Sequence, residues 1–448
     1  MRDDLHEAPA PAGHDGLVKR LVRDGPGGPF DRRSWRSPIR GPWLTSVLGF
    51  VLLVGFPVVI LTGYLSYVAY DPSLGGSNDQ TPDAGLLSAY TGLFSWPTSP
   101  AWLYRLNQGT HVVLGIALIP IVLSKLWSVA PKLFEWPPVR SPAQAVERLS
   151  ILAIVGSTLF QLVTGVMNIQ YDYAWGFSFY TGHFYGAWVF VAAFTAHVAI
   201  KMPTLVRSLR SRSFRQEMRV PVEDTVAEPP DPDLLVSPEP AEATMSRRGA
   251  LALTGGASLV LAGLTVGQSI DPLRRTALLS PRGQVTGDGP NDFQVNTTFV
   301  DARIEETLTR GSWRLTLRGP DGDDVRLTRG ELLALPQATH ELPIACVEGW
   351  STSQTWTGVP LRELAERVGG VDVEEVFLQS LQQGGAFSTM SITGRQLHDP
   401  RTLVALQVNG ADLSLDHGFP ARLIIPAAPG VRNTKWLDTV SFGLAGRA

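Results

Sequence analysis

The chain of 448 residues contains a single cysteine, Cys346, so no disulfide can form within it. This cysteine is a buried apolar residue, a redox-active thiol or a metal ligand. The formal net charge of −3 gives no reason to expect a nucleic acid as partner. We also expect no N-terminal signal peptide, because the first apolar stretch begins only after the polar tail 1–41.

Residues 42–206 contain long stretches that lack charged side chains. A helix across a bilayer needs about 20 apolar residues, and four stretches reach that length. The first stretch is 42–70. The other three lie between Arg105 and Lys125, between Arg148 and Asp172, and between Asp172 and Lys201. We therefore predict that 42–206 is an all-α bundle of four transmembrane helices in contact with membrane lipid.

Lysine and arginine are absent from two of the connections, 71–104 and 172–182. They cluster in the tail, in the connection between the second and third spans, and after the fourth span. The members of these clusters are Arg32, Arg33, Arg36, Arg40, Lys125, Lys132, Arg140, Arg148, Lys201, Arg207, Arg210, Arg212 and Arg215. By the positive-inside rule, we expect a multi-pass protein of the cell membrane with a cytoplasmic N-terminus.

Two segments follow the four spans. Residues 207–245 end in a stretch rich in proline, glutamate and aspartate, which predicts a solvated cytoplasmic linker. Residues 246–270 begin with Ser246, Arg247 and Arg248 and continue as an uncharged run rich in glycine and alanine. This segment resembles a twin-arginine export signal that stays as an anchor, and the alternative is an ordinary fifth span. Both place the rest of the chain outside the cytoplasm.

The predicted spans contain three histidines, and ionisable residues at such positions suggest function. His183 and His197 are 14 residues apart, which corresponds to roughly 21 Å along a helix and to within about 40° of one face. Neutral imidazoles at such positions could be axial ligands of haem iron. The alternative for His111, His183 and His197 alike is hydrogen bonding between helices.

Depth in the membrane predicts which histidines pair. The second and fourth spans run in the same direction and end at Lys125 and Lys201. We measure the depth of each histidine along its helix from the lysine that ends its span. By this measure, His111 differs in depth by roughly 6 Å from His183 and by roughly 15 Å from His197. We therefore predict that His111 and His183 hold one b haem near the outer face. His197 serves a second haem, a quinone pocket or a hydrogen bond.

The four-span layout and the spacing of His183 and His197 resemble the b-type cytochrome subunits of membrane formate dehydrogenases and nickel–iron hydrogenases. The resemblance covers about residues 42–206 and implies haem b and electron exchange with quinone. The chain departs from the two-haem pattern of that family, because its first span has no histidine. The resemblance therefore provides no ligand in the first span for an inner haem.

Residues 285–448 alternate short apolar runs with turns, which predicts a soluble α+β domain. The predicted strands are 313–317, 375–378, 403–408, 422–425 and 436–442. The predicted helices are 328–335 and 361–368.

Within this domain, the segment 344–351 (IACVEGWS) is very similar to the cysteine segment of the sulfite oxidase superfamily. The closest branch is that of the methionine-sulfoxide reductase catalytic subunit. Segments 416–422 and 430–436 match the pterin-binding segments of that family in order and spacing, and 291–293 resembles its first cofactor-contacting stretch. The resemblance implies a molybdopterin cofactor whose molybdenum is bound by Cys346, and a thiolate suits a high-valent metal.

The resemblance also implies which residues bind the cofactor. Arg422 and Lys435 would donate charge-assisted hydrogen bonds to the pterin and its phosphate, while Gly418 and Gly430 would let the backbone approach closely. The other implied cofactor-binding residues are Asn291, Gln294, Val295, His417, Asn433 and Thr434. Taken singly, each has an ordinary alternative as a turn glycine, surface arginine or loop residue.

The family contains oxidases of sulfite and reductases of oxidised sulfur. All nine tyrosines lie at or before Tyr185, so the outer domain lacks a counterpart of the tyrosine expected at the active site of sulfite oxidases. We therefore expect electrons to pass from quinol through a membrane haem to an outer molybdenum centre that reduces an S-oxide or N-oxide. The alternatives are a dehydrogenase that delivers electrons to quinone, or a non-catalytic, haem-bearing membrane module for binding.

Overall fold

The computed structural model describes residues 27–79, 95–139, 141–170, 175–280, 282 and 287–443. Several features of the sequence interpretation lie outside these residues. They are the tail 1–26, Arg140, Asp172 and parts of the connections 71–104 and 172–182 that lack lysine and arginine.

The chain divides into two compact units, which are described separately. Unit 1 consists of Met1–Val54, Leu118–Leu159 and Trp188–Ser258. Unit 2 consists of Gly55–Ala117, Phe160–Ala187 and Leu259–Ala448. The predicted haem histidines His111 and His183 belong to unit 2 together with Cys346, whereas His197 belongs to unit 1.

Among the described residues, five helical segments are long and apolar enough to cross a membrane. These candidate spans one to five are Pro42–Leu74, Leu103–Leu133, Gln144–Asn168, Phe179–Ser211 and Arg247–Val266. The helices are α1 (Pro42–Val68), α2 (Leu103–Ala117), α3 (Ile119–Leu133), α4 (Pro142–Asn168), α5 (Phe179–Ser211), the short α6 (Phe214–Glu217) and α7 (Arg247–Val266). The prediction of four apolar helices followed by a further one is confirmed.

Candidate span two is interrupted at Leu118, between α2 and α3. Pro120 lies two residues later, and a proline cannot donate the helical hydrogen bond and clashes with the carbonyl group four residues before it. Unlike Pro120, Pro57 in α1 and Pro203 in α5 lie inside continuous helices.

The linker after α6 has no helix or strand up to Ser246, and some of its residues pack against other parts of unit 1. Glu228 is buried and accepts a hydrogen bond from the backbone N–H of Trp43 at 3.2 Å. Arg247 is also buried and donates to the carbonyl oxygen of Val226 at 2.9 Å. The acidic linker is ordered because its carboxylate binds the positively polarised start of α1 and compensates a buried guanidinium.

The C-terminal part of unit 2 is the predicted α+β domain. Its strands are β1 (Leu315–Arg318), β2 (Asp324–Leu327), β3 (Ala338–Ala345), β4 (Ser351–Pro360), β5 (Glu375–Ser380), β6 (Thr389–Thr393), β7 (Leu403–Val408), β8 (Ala411–Asp412), β9 (Arg422–Ile424) and β10 (Leu437–Phe442). Its helices are α8 (Arg329–Ala334), α9 (Leu361–Glu366) and α10 (Gly394–His398).

The strands form two sheets. The first has the order β2-β1-β10-β5-β6, and the second has the order β3-β4-β7-β8 with β9 also paired to β7. Only the β1–β10 pair is parallel among the named pairs. Val404 and Leu406 of β7 belong to the main apolar core, whereas Leu403 and Ala405 belong to a second cluster that contains Cys346. Strand β7 is thus buried on both faces, and one of them supports the cysteine.

The structure contains all five predicted strands and both predicted helices, with ends that differ by one or two residues. Sequence patterns missed β2, β3, β4, β6, β8 and α10. A usable signal for β8 was present, because Asn409 and Gly410 turn the chain from β7 into β8 with φ angles of 51° and 81°. An Asn-Gly pair favours this kind of hairpin turn.

Candidate active site

Cys346 lies in the turn that joins β3 to β4. The backbone N–H of Cys346 donates to the carbonyl oxygen of Trp350 at 2.9 Å, and that of Gly349 donates to the carbonyl oxygen of Cys346 at 3.0 Å. Gly349 has a φ of 94°, a conformation that side chains disfavour. The turn therefore holds the thiol at the end of a paired hairpin, which is a rigid support for a metal ligand.

A cavity of about 310 Å³, including the space open to solvent, lies beside this turn. Six of the residues singled out from the sequence line it: Gln294, Cys346, His417, Arg422, Gly430 and Lys435. These residues come from separate segments of the chain, and the fold brings their side chains or backbone together at one cavity.

Four other predicted cofactor-binding residues are not among those that line the cavity: Asn291, Val295, Asn433 and Thr434. The amide of Asn291 bonds the backbone of Asp412 at 2.9 Å and that of Ser414 at 2.8 Å. The amide of Asn433 accepts from the backbone N–H of Ile425 at 2.7 Å. The two asparagine side chains therefore hold loops in place, and direct cofactor contact by these four residues stays a prediction.

Arg422 and Lys435 make the cavity electropositive. Arg422 is buried and donates to the carbonyl oxygens of His417 and Asn433, each at 3.1 Å. Lys435 donates to the carbonyl oxygens of Thr297 at 2.6 Å and Asp416 at 2.9 Å. Burial lowers the pKa of Arg422 to about 9. Burial, and then the charge of Arg422, lowers the pKa of Lys435 to about 7. A bound anion would oppose both shifts, so the cavity favours an anionic ligand.

His417 is neutral in this setting. Its ring stacks on that of Phe293 with centroids 3.6 Å apart, and its Nε2–H donates to the carbonyl oxygen of Asn291 at 2.9 Å. Burial, followed by the charges of Arg422 and Lys435, lowers the pKa of His417 to about 3. The ring therefore adds a polar contact without adding positive charge.

The residues present fit a molybdenum–pterin group. Burial, and then the charge of Glu348, raises the pKa of the Cys346 thiol well above its ordinary value, so a metal would displace a proton on binding. In the described part of the chain, the buried Arg422 Nε and Thr434 Oγ1 atoms have no hydrogen-bond partner. Buried polar atoms without a partner are unfavourable, and a polar cofactor would satisfy them.

Comparison with known families agrees with this geometry. Residues 302–444 match the family described as oxidoreductase molybdopterin binding domain. The C-terminal domain is a molybdopterin-binding domain. This confirms the resemblance to the sulfite oxidase superfamily and the assignment of the chain to the oxidoreductases.

Three relatives show which proteins the chain is similar to. The protein named as protein-methionine-sulfoxide reductase subunit YedZ1 of Azospira oryzae is 29% identical over 174 residues, which are 39% of this chain and 63% of that protein. The protein-methionine-sulfoxide reductase catalytic subunit MsrP of Xanthomonas campestris is 28% identical over 166 residues, 34% of this chain and 52% of that protein. Sulfite oxidase of Arabidopsis thaliana is 35% identical over 88 residues, 19% of this chain and 22% of that protein. The chain spans less than two thirds of each.

Four further cavity residues had no individual role in the sequence analysis, although all but Asn296 lie in its quoted segments: Phe293, Asn296, Ile344 and Trp350. The indole N–H of Trp350 donates to Glu348 at 2.9 Å, and Glu348 pairs with Arg282 at 2.6 Å. Glu348 and Trp350 lie inside the segment that identified Cys346, so their position was a signal. Only the fold shows that Trp350 lines the cavity and that Glu348 holds its indole ring in place.

The membrane histidines His111 and His183 come together within unit 2. Their ring centroids are 6.3 Å apart and their planes meet at 80°. A metal–imidazole bond of about 2 Å places a metal roughly 3 Å from each ring centroid, so the separation of the two rings matches that of two imidazoles on one ion. The ideal Cβ position of Gly63 lies 2.9 Å from His111 Cε1, which shows that this glycine makes room for the ring.

Hydrogen bonds indicate which nitrogen each ring leaves for a metal. His111 Nδ1 lies 3.1 Å from the carbonyl oxygen of Val59, which can only accept, so Nδ1 carries the proton. His183 Nδ1 lies 2.9 Å from Thr164 Oγ1, which itself donates to the carbonyl oxygen of Phe160 at 2.7 Å. Both Nδ1 atoms are therefore engaged as donors, and both Nε2 atoms are the ones suited to a metal.

His197 is the only histidine among the described residues of unit 1. The structure therefore places no second imidazole with it in the described part of that unit. A second haem, a quinone pocket and a hydrogen bond all stay open for this residue.

Proposed function

We propose that this protein is a membrane-bound molybdopterin oxidoreductase that takes electrons from quinol and reduces a small S-oxide or N-oxide. The observation that carries the proposal is the convergence of the Cys346 thiol with Arg422 and Lys435 on one cavity of a molybdopterin-binding domain. We place the five candidate spans in the cell membrane and the cavity on the extracytoplasmic side. Similarity to proteins named as methionine-sulfoxide reductase subunits supports the substrate class.

A bound molybdenum–pterin group would supply a centre that transfers two electrons and an oxygen atom. The residues of this chain have three tasks toward it. Cys346 would hold the metal as a thiolate, having lost its proton. Arg422 and Lys435 balance the negative charge of the cofactor, and Lys435 gains its full charge when an anion binds. Phe293 and Trp350 form apolar walls that exclude water.

A b haem between His111 and His183 would supply one-electron chemistry inside the membrane. Val59 and Thr164 accept the Nδ1 protons, fix the orientation of the rings and increase the basicity of the Nε2 atoms. The separation of the two rings supports this assignment.

The overall reaction balances with quinol as the reductant. Quinol becomes quinone and releases two electrons and two protons. The S–O or N–O bond of the substrate breaks, the sulfur or nitrogen atom is reduced by two electrons, and the oxygen leaves as water with two protons.

The reverse direction, oxidation of a sulfite-like substrate with delivery of electrons to quinone, is a second candidate. The similarity to a sulfite oxidase favours it. A tyrosine does lie near the cysteine turn, because Tyr104 of α2 belongs to the same buried cluster as Ala345, the residue before Cys346. Tyr104 is not among the residues that line the cavity, however, and the described lining contains no tyrosine. The reductase direction is therefore preferred.

Metal analysis and visible spectroscopy of the purified protein test the proposal. We expect molybdenum and a low-spin haem band in the same preparation, and reoxidation of the reduced haem by S-oxides or N-oxides. Absence of both molybdenum and haem would overturn the proposal. Haem reduction by sulfite without reoxidation by S-oxides or N-oxides would replace it with the dehydrogenase.

A further inference from the structure

The turn 346–350 packs directly on α2, the helix that carries His111. Gln108 of α2 donates from Nε2 to the carbonyl oxygen of Val347 at 2.5 Å. The ideal Cβ position of Gly349 lies 2.8 Å from Val112 Cβ, closer than real Cβ atoms approach one another. Only a glycine therefore lets the turn come this close to the helix.

The segment after α7 holds the same turn from another direction. Ser269 Oγ donates to the carbonyl oxygen of Gly349, and the backbone N–H of Ser351 donates to the carbonyl oxygen of Gln268 at 3.0 Å. Arg105 of α2 donates to the carbonyl oxygen of Ser269 at 3.0 Å and to Ser353 Oγ at 3.0 Å. The contact between the turn and α2 is thus held by several hydrogen bonds.

These contacts connect the two sites by a short route. His111 is bonded covalently to Val112, whose side chain lies beside Gly349, and the N–H of Gly349 donates to the carbonyl oxygen of Cys346 at 3.0 Å. The route crosses one non-bonded gap, between Val112 and Gly349. Electronic coupling decays more slowly along covalent and hydrogen bonds than across a gap, so that contact limits the whole route.

We propose that the contact between Val112 and Gly349 is the electron-transfer contact between the His111 side and the Cys346 side of the protein. The inference rests on the proposed function, with quinol as the source of electrons. Two electrons cross the contact one at a time for each S-oxide or N-oxide reduced. At each crossing, a carrier held by His111 would be oxidised and a metal held by Cys346 would be reduced.

A competing route would pass through Tyr104, which belongs to the same buried cluster as Ala345. Tyr104 precedes His111 by seven residues, which corresponds to roughly 10 Å along α2. The Val112 route starts at the residue next to His111 and is the shorter one. Substitution of each residue separates the two routes.

The test compares Val112→Ala with Val113→Ala in the purified holoprotein. Val113 has the same side chain one residue further along α2, about 100° around the helix. Flash photoreduction of the haem by a flavin gives the rate at which its electron moves on to molybdenum. We expect slower transfer in Val112→Ala, and wild-type rates in Val113→Ala, in Val112→Ile and in Tyr104→Leu, which removes the aromatic ring of the competing route.

Two further measurements distinguish loss of the contact from displacement of the turn. The haem midpoint potential and the magnetic coupling between the Mo(V) signal and the ferric haem should be unchanged in Val112→Ala. Equal rates in wild type and Val112→Ala would overturn the proposal, and so would slower transfer with weakened magnetic coupling. A wild-type preparation without molybdenum or haem would instead count against the proposed function.

Discussion

Arg432 and Asp71 form an ion pair in which both side chains are buried, with exposed fractions of 0% and 7%. The pair joins the segment after α1 to the loop that carries Lys435. Arg432 also donates to the carbonyl oxygens of Ala69 at 3.2 Å and Ser391 at 2.7 Å. The molybdopterin-binding domain is therefore fastened to the end of candidate span one and does not depend on candidate span five alone for its attachment.

Replacing Asp71 with asparagine should destabilise unit 2. The substitution leaves the Arg432 charge buried without a counter-ion, which costs about 3 kcal/mol or more. Asparagine is chosen because Asp71 has a φ of 49°, a conformation that asparagine tolerates. Thermal unfolding in detergent, followed by tryptophan fluorescence, measures the loss.

The matched control is Glu306→Gln, which removes the partner of Arg310 in a pair whose side chains are 45% and 72% exposed. Exposed pairs contribute about 0–1 kcal/mol, so little change is expected. The double substitution Asp71→Asn with Arg432→Met should recover part of the stability. Equal effects of Asp71→Asn and Glu306→Gln on stability would contradict the claim that the buried pair stabilises unit 2.

Substituting Cys346→Ser should abolish substrate turnover and leave the haem spectrum unchanged. A hydroxyl group is a harder and weaker donor than a thiolate, so it does not replace the sulfur ligand. Arg422 and Lys435 stay in place and should retain the pterin. Turnover assays and absorption spectra check the expectation. Retained turnover would remove Cys346 from the mechanism.

Substituting either His111→Ala or His183→Ala should abolish the low-spin haem band, because each removes one of two axial ligands. His197→Ala is the matched control and should keep this band. Visible spectra of the three purified variants give the answer. Loss of the band in His197→Ala, with retention in His183→Ala, would show that the pairing is wrong.

Thr164→Val should raise the haem midpoint potential. Thr164 accepts the Nδ1 proton of His183, which makes the imidazole a stronger donor to ferric iron. Thr62→Val is the control, because His111 keeps the carbonyl oxygen of Val59 as an acceptor. A redox titration should show the larger shift in Thr164→Val. Equal shifts in both variants would contradict the assigned hydrogen bonds.

The stability of cofactor-free protein should depend on His417 at acidic pH. Burial lowers the pKa of His417 to about 3, whereas an unfolded histidine has a pKa of about 6.5. Between these values the unfolded chain binds a proton that the folded domain does not, so stability falls as the pH falls from about 6.5 toward 3. Melting temperatures across this window should decline less steeply in His417→Gln. Parallel curves would show that His417 titrates normally.

Much of the molecule could be predicted from local patterns. Uncharged runs predicted the apolar helices, because a helix across a membrane needs a continuous apolar stretch. The depths of His111 and His183 followed from the constant rise of a helix, and the structure brings these rings together. Haem ligation by them stays a prediction. Strands such as β7 were recognisable because their apolar residues are contiguous.

Other strands escaped prediction because their burial depends on distant partners. Strand β3 contains His340, Glu341 and Pro343 and carries no clear apolar period. It is a strand because it pairs along its whole length with β4. The turn between these strands carries Cys346, so the motif was visible in the sequence while its support was not.

The sequence by itself determined the apolar helices, the order of the motifs and the identity of Cys346, since all of these depend on neighbouring residues. Tertiary structure alone decided that Asn291 and Asn433 bond backbone while Arg422 and Lys435 line the cavity. It also decided that Asp71 meets Arg432 and that Val112 meets Gly349. Such pairs join residues hundreds of positions apart, and no local pattern encodes which distant side chain will neutralise a buried charge or fill a gap.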